Sequence, residues 1–389
     1  MKRTLLSLLC TAALLLSLAG CAGGQSSPTS DTNTNMSANA AASTDDYDAA
    51  SAVSLVFSDG SITGGGDGAE ADGTALTISA AGTYLVSGSC SDGSITVKKG
   101  VTGVTLVLSG LTLTSSDTAP ITCSKSSEVT ILAADGTTNT LTDSAQNNDD
   151  NYPDNEAAEN AVIKCKDGST VTLCGSGTLN ITANGKNGVK SGATTDEEGD
   201  ASLTIRGLTL NITAPVNDAI NAEQALNIES GTLTISAGDD AIHCDYVMNV
   251  GASGTAGPDI TVTECCEGLE AATLNILSGS ISILSEDDCL NAANSDLTGY
   301  SFSITISGGT INAYSSSGDG FDSNGDLTIT GGTVVVWTAS TADNQPLDAD
   351  GTLSVTGGTV LAAGGSAGMG VQLSAAQPCV TFGSTGAMG

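Results

Sequence analysis

Beyond residue 50 the chain alternates. Stretches such as "LTISAG", "LNILSG", "SITISGGTINAYS" and "LTITGGTVVVW" place Ile, Leu or Val at every second position, with Thr, Ser or Asn between and glycines at the ends. Period-two alternation bounded by glycine predicts β-strands with one buried face. After residue 50 no convincing amphipathic helix is found. The strands recur with a repeated word. "GDDAIHCD" (238–245), "CCEGLEAA" (265–272), "SEDDCLNAAN" (285–294), "SGDGFDSNGDL" (317–327) and "QPLDADGTL" (345–353) share one order: an acid or amide, a small residue, a large apolar residue, a polar one, a small one. The apolar anchors Ile220, Ile242, Leu269, Leu290, Phe321 and Leu347 are spaced by 22, 27, 21, 31 and 26 residues. Strands at a variable period with no helices between them predict a solenoid, and within that class a parallel β-helix, whose loops leave the coil at fixed corners. Earlier coils are expected at 119–132, 160–185 and 186–214, giving roughly ten coils in all. An all-β sandwich is the alternative, but it has no need of the same word at each turn.

Stacking the words produces columns. Two residues before the anchor stand Asp218, Asp240, Glu267, Asp288 and Asp319. One after it stand Asn221, His243, Glu270, Asn291, Asp322 and Asp348, with Asp239, Asp245, Asp287 and Asp350 close by. Two after it stand Ala222, Cys244, Ala271, Ala292, Ser323 and Ala349, a ladder of small residues. Carboxylates one strand spacing apart repel by about 1 kcal/mol in water and about 3 at an effective dielectric of 20. Such a column therefore needs splayed, solvated side chains or a cation.

The chain carries 43 acids against 10 Lys and Arg, a formal net charge of −33. That deficit argues against nucleic acid as a partner, since phosphate binding needs clustered cations. Arg206 is the last Lys or Arg, and 20 acids follow it, so no protein cation is expected among the columns. Calcium fits, because it takes six to eight oxygens that turns readily supply. The expected ligands are Asp239, Asp240, Asp245, Glu267, Glu270, Asp287, Asp288, Asp319, Asp322, Asp348 and Asp350. A solvated acidic edge is the bland alternative. The single histidine, His243, shares its slot with Asn221 and Asn291 and is expected to be a surface polar residue.

Residues 1–21, "MKRTLLSLLCTAALLLSLAGC", have a cationic start, a short apolar stretch and small residues before Cys21. This is a targeting segment, too short in its apolar part to be a span. "LAGC" resembles the bacterial lipobox, which makes Cys21 the expected lipidation site and places the protein outside the cytoplasm. Residues 22–50 are poor in large apolar groups and are expected to be a flexible tether. The β-helix is expected over 51–389. Cys10 and Cys21 belong to the leader, which leaves nine of the 11 cysteines; an odd number without CxxC spacing argues against a full disulfide framework. Cys244 and Cys289 occupy small-residue positions and are expected to pack as small hydrophobes.

The words "DDAIHCD", "CEGLEAATLNILSGSISI", "DDCLNAAN", "GDGFDSNGDLTITGGTVVV" and "LDADGTLSVTGGTVLAAGGSAGM" are similar to the bacterial carbohydrate-binding-domain family of polysaccharide-lyase-like β-helix proteins. "GTYLVSGSCSDGSITV" and "VTLVLSGLTLTSSDTAPI" resemble its N-terminal coils. The resemblance covers about residues 55–389. It implies a right-handed parallel β-helix, bound calcium, and binding of cellulose or acidic plant polysaccharides such as polygalacturonate. It also leads one to expect more sequence after "CVTFGSTGAMG". The expected partner is thus a polysaccharide, with the membrane reached only through the N-terminal lipid and the body a monomer.

Three functions compete. Carbohydrate binding leads, although sugar recognition leans on aromatic faces and the chain has one tryptophan, Trp337, as a candidate ligand contact. Calcium bridging protein and sugar carboxylates reconciles an acidic surface with an acidic glycan. An enzyme is the second function. "EDDCLN" and "GDDAIH" faintly resemble the paired aspartates of polygalacturonase-type glycosidases, but the Arg-x-Lys and Gly-His-Gly elements expected with them are absent. A lyase needs a base such as Lys or Arg; Lys164, Lys166, Lys186, Lys190 and Arg206 all lie on earlier coils. A structural or adhesive spacer is the third.

Overall fold

The structure is a computed structural model that describes residues 47–194, 200–339, 344–365 and 373–380. The described residues form β-strands, turns and loops with no helix among them. The leader with Cys21, and the expected tether up to residue 46, lie outside the described residues. Packed chain begins slightly before the expected boundary at residue 51: Tyr47 lies, with Leu85, against the small buried cluster of Val107, Leu132, Ala134 and Cys174.

Apart from two N-terminal antiparallel pairings, Val53–Ser58 with Ser61–Gly64 and Ala69–Asp72 with Ala75–Ile78, the named strand pairs are parallel. They fall into three ladders. The anchor ladder passes from Ser94–Val97 through Ile121–Cys123, Ala161–Cys165, Asn187–Ser191 and Ile220–Ala222. It continues through the first parts of Ile242–Val250 and Leu269–Ile276 to Leu290–Ala292 and Phe321–Ser323. A second ladder joins the later parts of those two long strands to Ser303–Ile306, Asp326–Ile329 and Leu353–Val355. A third runs from Thr138–Thr142 through Thr178–Thr182, Thr209–Ala214, Thr232–Ala237 and Asp259–Glu264. It goes on to Ser280–Ser285, Thr310–Ser315, Thr333–Thr338 and Thr359–Ala363. Within each ladder, neighbouring strands lie one turn of chain apart.

The alternation explains the packing. Ile220, Ile242, Leu269, Leu290 and Phe321 pair residue on residue and are fully buried. Each such burial contributes about 1.5–3 kcal/mol. The small-residue positions stack as well, with Ala222 on Cys244 on Ala271 and Ala292 on Ser323, all buried. One core cluster extends from Leu55 to Val355. Polar positions stack outside it: Asn275 donates to Asn249, and Asn249 to Asn227, at 3.0 Å each. The "GGT" words sit where the chain turns into the third ladder. Gly309, Gly332 and Gly358 hold φ of +85°, +83° and +80°. A Cβ on Gly332 would lie 2.8 Å from the Gly309 carbonyl oxygen, so both conformation and space require glycine.

Candidate functional site

The acid column forms at the corner that leads into the anchor ladder. Backbone N–H groups of Ala219, Ala241, Gly268 and Cys289 donate to the carbonyls of Asp240, Glu267, Asp288 and Asp319, at 3.1, 2.8, 2.9 and 3.3 Å. That stacks Asp218, Asp240, Glu267, Asp288 and Asp319 on successive turns. Part of their role is to complete the backbone. The N–H of Asp240 donates to Asp218 Oδ1 at 3.2 Å, that of Asp319 to Asp288 Oδ1 at 2.6 Å, and that of Gln345 to Asp319 Oδ1. Burial of a carboxylate is tolerable where it accepts such bonds.

The second column sits on the outward face of the anchor ladder. Lys164 pairs with Lys190, then Asn221, His243, Glu270, Asn291 and Asp322 follow in register. The charge along one face therefore runs from basic to acidic. Lys190 Nζ is held by Asn221 Oδ1 and Glu223 Oε1, both at 3.1 Å. Lys166 pairs with Glu159 at 2.5 Å, and Lys186 with Asp150. Burial, then the neighbouring Lys190, pulls the Lys164 ammonium below its ordinary pKa.

His243 corrects the sequence reading twice: it is not a surface polar residue, and it is a protein cation among the late acids. Its Nδ1 lies 3.2 Å from Asp240 Oδ2 and 3.0 Å from Glu270 Oε2, and its Nε2 lies 2.9 Å from Asp245 Oδ1. Both ring nitrogens thus face carboxylates, which suits an imidazolium that donates from each. Burial opposes the charge, but the bonds to Asp240, Asp245 and Glu270 outweigh it and push the pKa up to about 12. Asp240 is pushed up rather than down, to about 8, because burial and the carboxylates of Asp218, Glu270 and Glu267 outweigh the bond from His243. Oxygens of Asp218, Asp239 and Asp240 also converge within 4.8 Å of one another. Burial raises Asp218 despite a 2.6 Å bond from Asn221 Nδ2.

Further along, Asp319, Asp322 and Asp348 bring carboxylate oxygens within 4.8 Å of one another. Here the sequence supplies no Lys, Arg or His, and the donors are all oxygen. Burial, then Asp319, Asp348 and Asp350, pushes Asp322 up to about 6. Burial, then Asp348 and Asp287, raises Asp319 against its bond from Gln345. Asp288 is pushed to about 7, by burial first and then by Asp322, Asp287 and Asp319. Glu267 also rises to about 7, through burial first and then Glu270, Asp288 and Asp287, although Asn291 Nδ2 donates to it at 2.8 Å. Oxygen-only donors suit a hard cation such as calcium rather than zinc or copper. The cluster formed by His243 with Asp240, Asp245 and Glu270 is already neutralised in part from within.

The other expected ligands are less gathered. Asp287 and Asp350 are exposed, and Asp245, Glu267, Asp287, Asp288 and Asp350 are outside the three clusters of converging ligand atoms found among the described residues. Gly318 is confined by them: a Cβ there would lie 2.1 Å from Asp287 Oδ1 and 2.6 Å from Asp288 Oδ1. Cys289 is buried beside Ser285 Oγ at 3.2 Å, and burial pushes its thiol up to about 12. Among the described cysteines, Cys379 is exposed, Cys266 is half-buried and the rest are buried. Trp337 is 46% exposed on the third ladder, away from the acid column in register. Sequence reasoning missed His243 as a cation and Asp218 as a cluster member. The signal was its own column, which sets His243 one turn from Glu270.

A carbohydrate-binding domain-containing protein of Acetivibrio thermocellus is 29% identical over 235 residues, covering 49% of this chain and 80% of that protein. Among solved structures, the polysaccharide lyase-like protein from C. thermocellum, as a gadolinium derivative, is 23% identical with a TM-score of 0.43, over 84% of this chain and 98% of that one. The model of the family described as carbohydrate-binding domain-containing protein matches residues 72–370, well over half of the chain, and the chain belongs to that family.

Proposed function

We propose that this is a calcium-dependent carbohydrate-binding lipoprotein, tethered outside the cell through Cys21, that recognises plant cell-wall polysaccharide: an acidic glycan such as polygalacturonate, or cellulose. In this reading the three ladders wind as a right-handed parallel β-helix of roughly ten coils. The observation that carries it is the oxygen-only cluster of Asp319, Asp322 and Asp348, set in a chain of a carbohydrate-binding family. Calcium there would offset the repulsion among these close carboxylates, and its remaining coordination positions would accept uronate oxygens. Asp240, Glu267, Glu270, Asp287 and Asp288 would extend the field along the column, with Asp239, Asp245 and Asp350 at its rim. The body acts as a monomer.

A second reading, a lyase, has one observation in its favour. Lys164, whose pKa burial depresses, stands in the same outward column as His243, about 14 Å away at three strand spacings. Retention on immobilised polygalacturonate, with calcium and with EGTA, tests the first reading, and an assay for unsaturated products tests the second. Retention in calcium, loss in EGTA and no products are expected. Calcium-independent retention would refute the bridging role, and steady product release would favour the lyase.

A further inference from the structure

We propose that the exposed strip of Leu284, Tyr314 and Trp337 on the third ladder is a stacking platform for an extended, β-linked neutral glycan, separate from the acid column. This rests on the carbohydrate-binding reading and assigns it a second surface.

The strip is set by register. Leu284 pairs with Tyr314 and Tyr314 with Trp337, so the three occupy one outward position on consecutive strands. They are 51%, 43% and 46% exposed. Scattered single exposed apolar residues need no explanation, but contiguous ones do. The scaffold does not require them. At the equivalent outward position on earlier turns stand Thr142, Thr182, Thr213 and Ser236; on the one turn between these and the strip the register shifts, and Ser236 pairs with the exposed Glu264. A small hydroxyl residue suffices there, and where the strip begins the chain substitutes a leucine, a tyrosine and a tryptophan.

The surroundings name the chemistry of the occupant. The outward positions of Ser280–Ser285, Thr310–Ser315, Thr333–Thr338 and Thr359–Ala363 hold Ser, Thr, Asn, Val, Leu, Tyr, Trp and Ala. None of them is charged, in a chain of net charge −33. A neutral face with hydroxyl and amide groups beside aromatic ones suits sugar rings, whose flat C–H faces lie on aromatics while their hydroxyls take hydrogen bonds. An anion would find no counter-charge here, and a protein partner of basic character would be drawn to the acid column instead. The pitch selects the linkage. Neighbouring strands lie about 4.8 Å apart, close to the advance per ring of an extended β-1,4-linked pyranose chain. Such a chain laid across the strands would set successive rings over Leu284, Tyr314 and Trp337.

The test is affinity electrophoresis of the full chain through gels containing hydroxyethylcellulose, in EGTA, for the wild type, Trp337→Ala, Tyr314→Ala and Tyr314→Phe. The wild type should be retarded. Either alanine variant should lose about tenfold in affinity, a central aromatic contact's worth, and Tyr314→Phe should keep most of it. All four should retain calcium-dependent binding to polygalacturonate, which also reports that they fold. Retardation unchanged in both alanine variants would overturn the platform. So would a wild type that ignores the neutral polymer, and if it still bound polygalacturonate in calcium, the carbohydrate-binding reading would stand without the strip. A wild type that binds neither polymer overturns both. Loss of both binding modes in the alanine variants at an unchanged melting temperature would mean one shared surface, contrary to the proposal.

Discussion

The outward column of the anchor ladder and that of the third ladder start alike and end differently. The first begins Thr96 and Thr122, then turns to Lys164, Lys190, Asn221, His243, Glu270, Asn291 and Asp322. The other begins Thr114, Thr142, Thr182 and Thr213, passes through Ser236 and, past a register shift, Glu264, then becomes Leu284, Tyr314 and Trp337. Both are carried by the same scaffold of inward Ile, Leu and Val, and threonine satisfies that scaffold at an outward position. The departures from threonine therefore report demands beyond folding. One column gathers charge and partly buries it. The other gathers apolar surface and leaves it exposed.

The comparison is sharpest at His243. It is the one cation among Asp240, Asp245 and Glu270, and its side chain is 19% exposed. Removing one partner of a buried ion pair leaves uncompensated charge, so His243→Gln should cost about 3 kcal/mol at pH 7 without calcium, measured by urea denaturation. No loss would mean that these carboxylates are solvated and the column is an ordinary acidic edge.

A pH series probes the same contrast with a smaller effect. Asp240, Glu267, Asp288 and Asp322 have folded pKa values of about 8, 7, 7 and 6, above the ordinary carboxylate range of the unfolded chain. Between those limits the folded protein binds more protons than the unfolded one, so stability rises as pH falls and drops as pH climbs. In EGTA the melting temperature should climb from pH 8 to pH 5, with His243 still protonated throughout. Calcium should flatten the trend, because a bound cation keeps the carboxylates ionised. A melting temperature that instead falls steadily over that range would contradict the raised values. The smallest effect belongs to the other column. Trp337→Ala should change folding stability by less than about 0.5 kcal/mol, as exposed positions do; a larger loss would place Trp337 in the packing.

Much of this was legible in the sequence. The anchors Ile220, Ile242, Leu269, Leu290 and Phe321 pair as their common word implies, because an inward large residue at each turn is what the core selects. The acid column followed from the same alignment. His243 did not, because its slot on neighbouring turns holds Asn221 and Asn291, and its charge depends on what lies beside it in space. Tyr314 and Leu284 were missed for a different reason. Each stands at the fifth place after a turn glycine, as Trp337 does in "GGTVVVW", yet a single tryptophan drew attention to itself rather than to its register. The gathering of Asp348 with Asp319 and Asp322 was foreshadowed by the columns, since Asp322 and Asp348 stand at the same place after their anchors.

The central claim is that the cluster of Asp319, Asp322 and Asp348 is completed by calcium. Calorimetric titration of calcium into metal-stripped protein tests it most directly, with Asp319→Asn/Asp322→Asn beside the wild type. The account predicts saturable binding by the wild type, a site lost in the double variant, and stabilisation of about 2.7 kcal/mol at 100 times Kd that the variant does not show. Binding isotherms that are flat for both proteins, with the double variant more stable than the wild type, would contradict it and leave the column a repulsive edge.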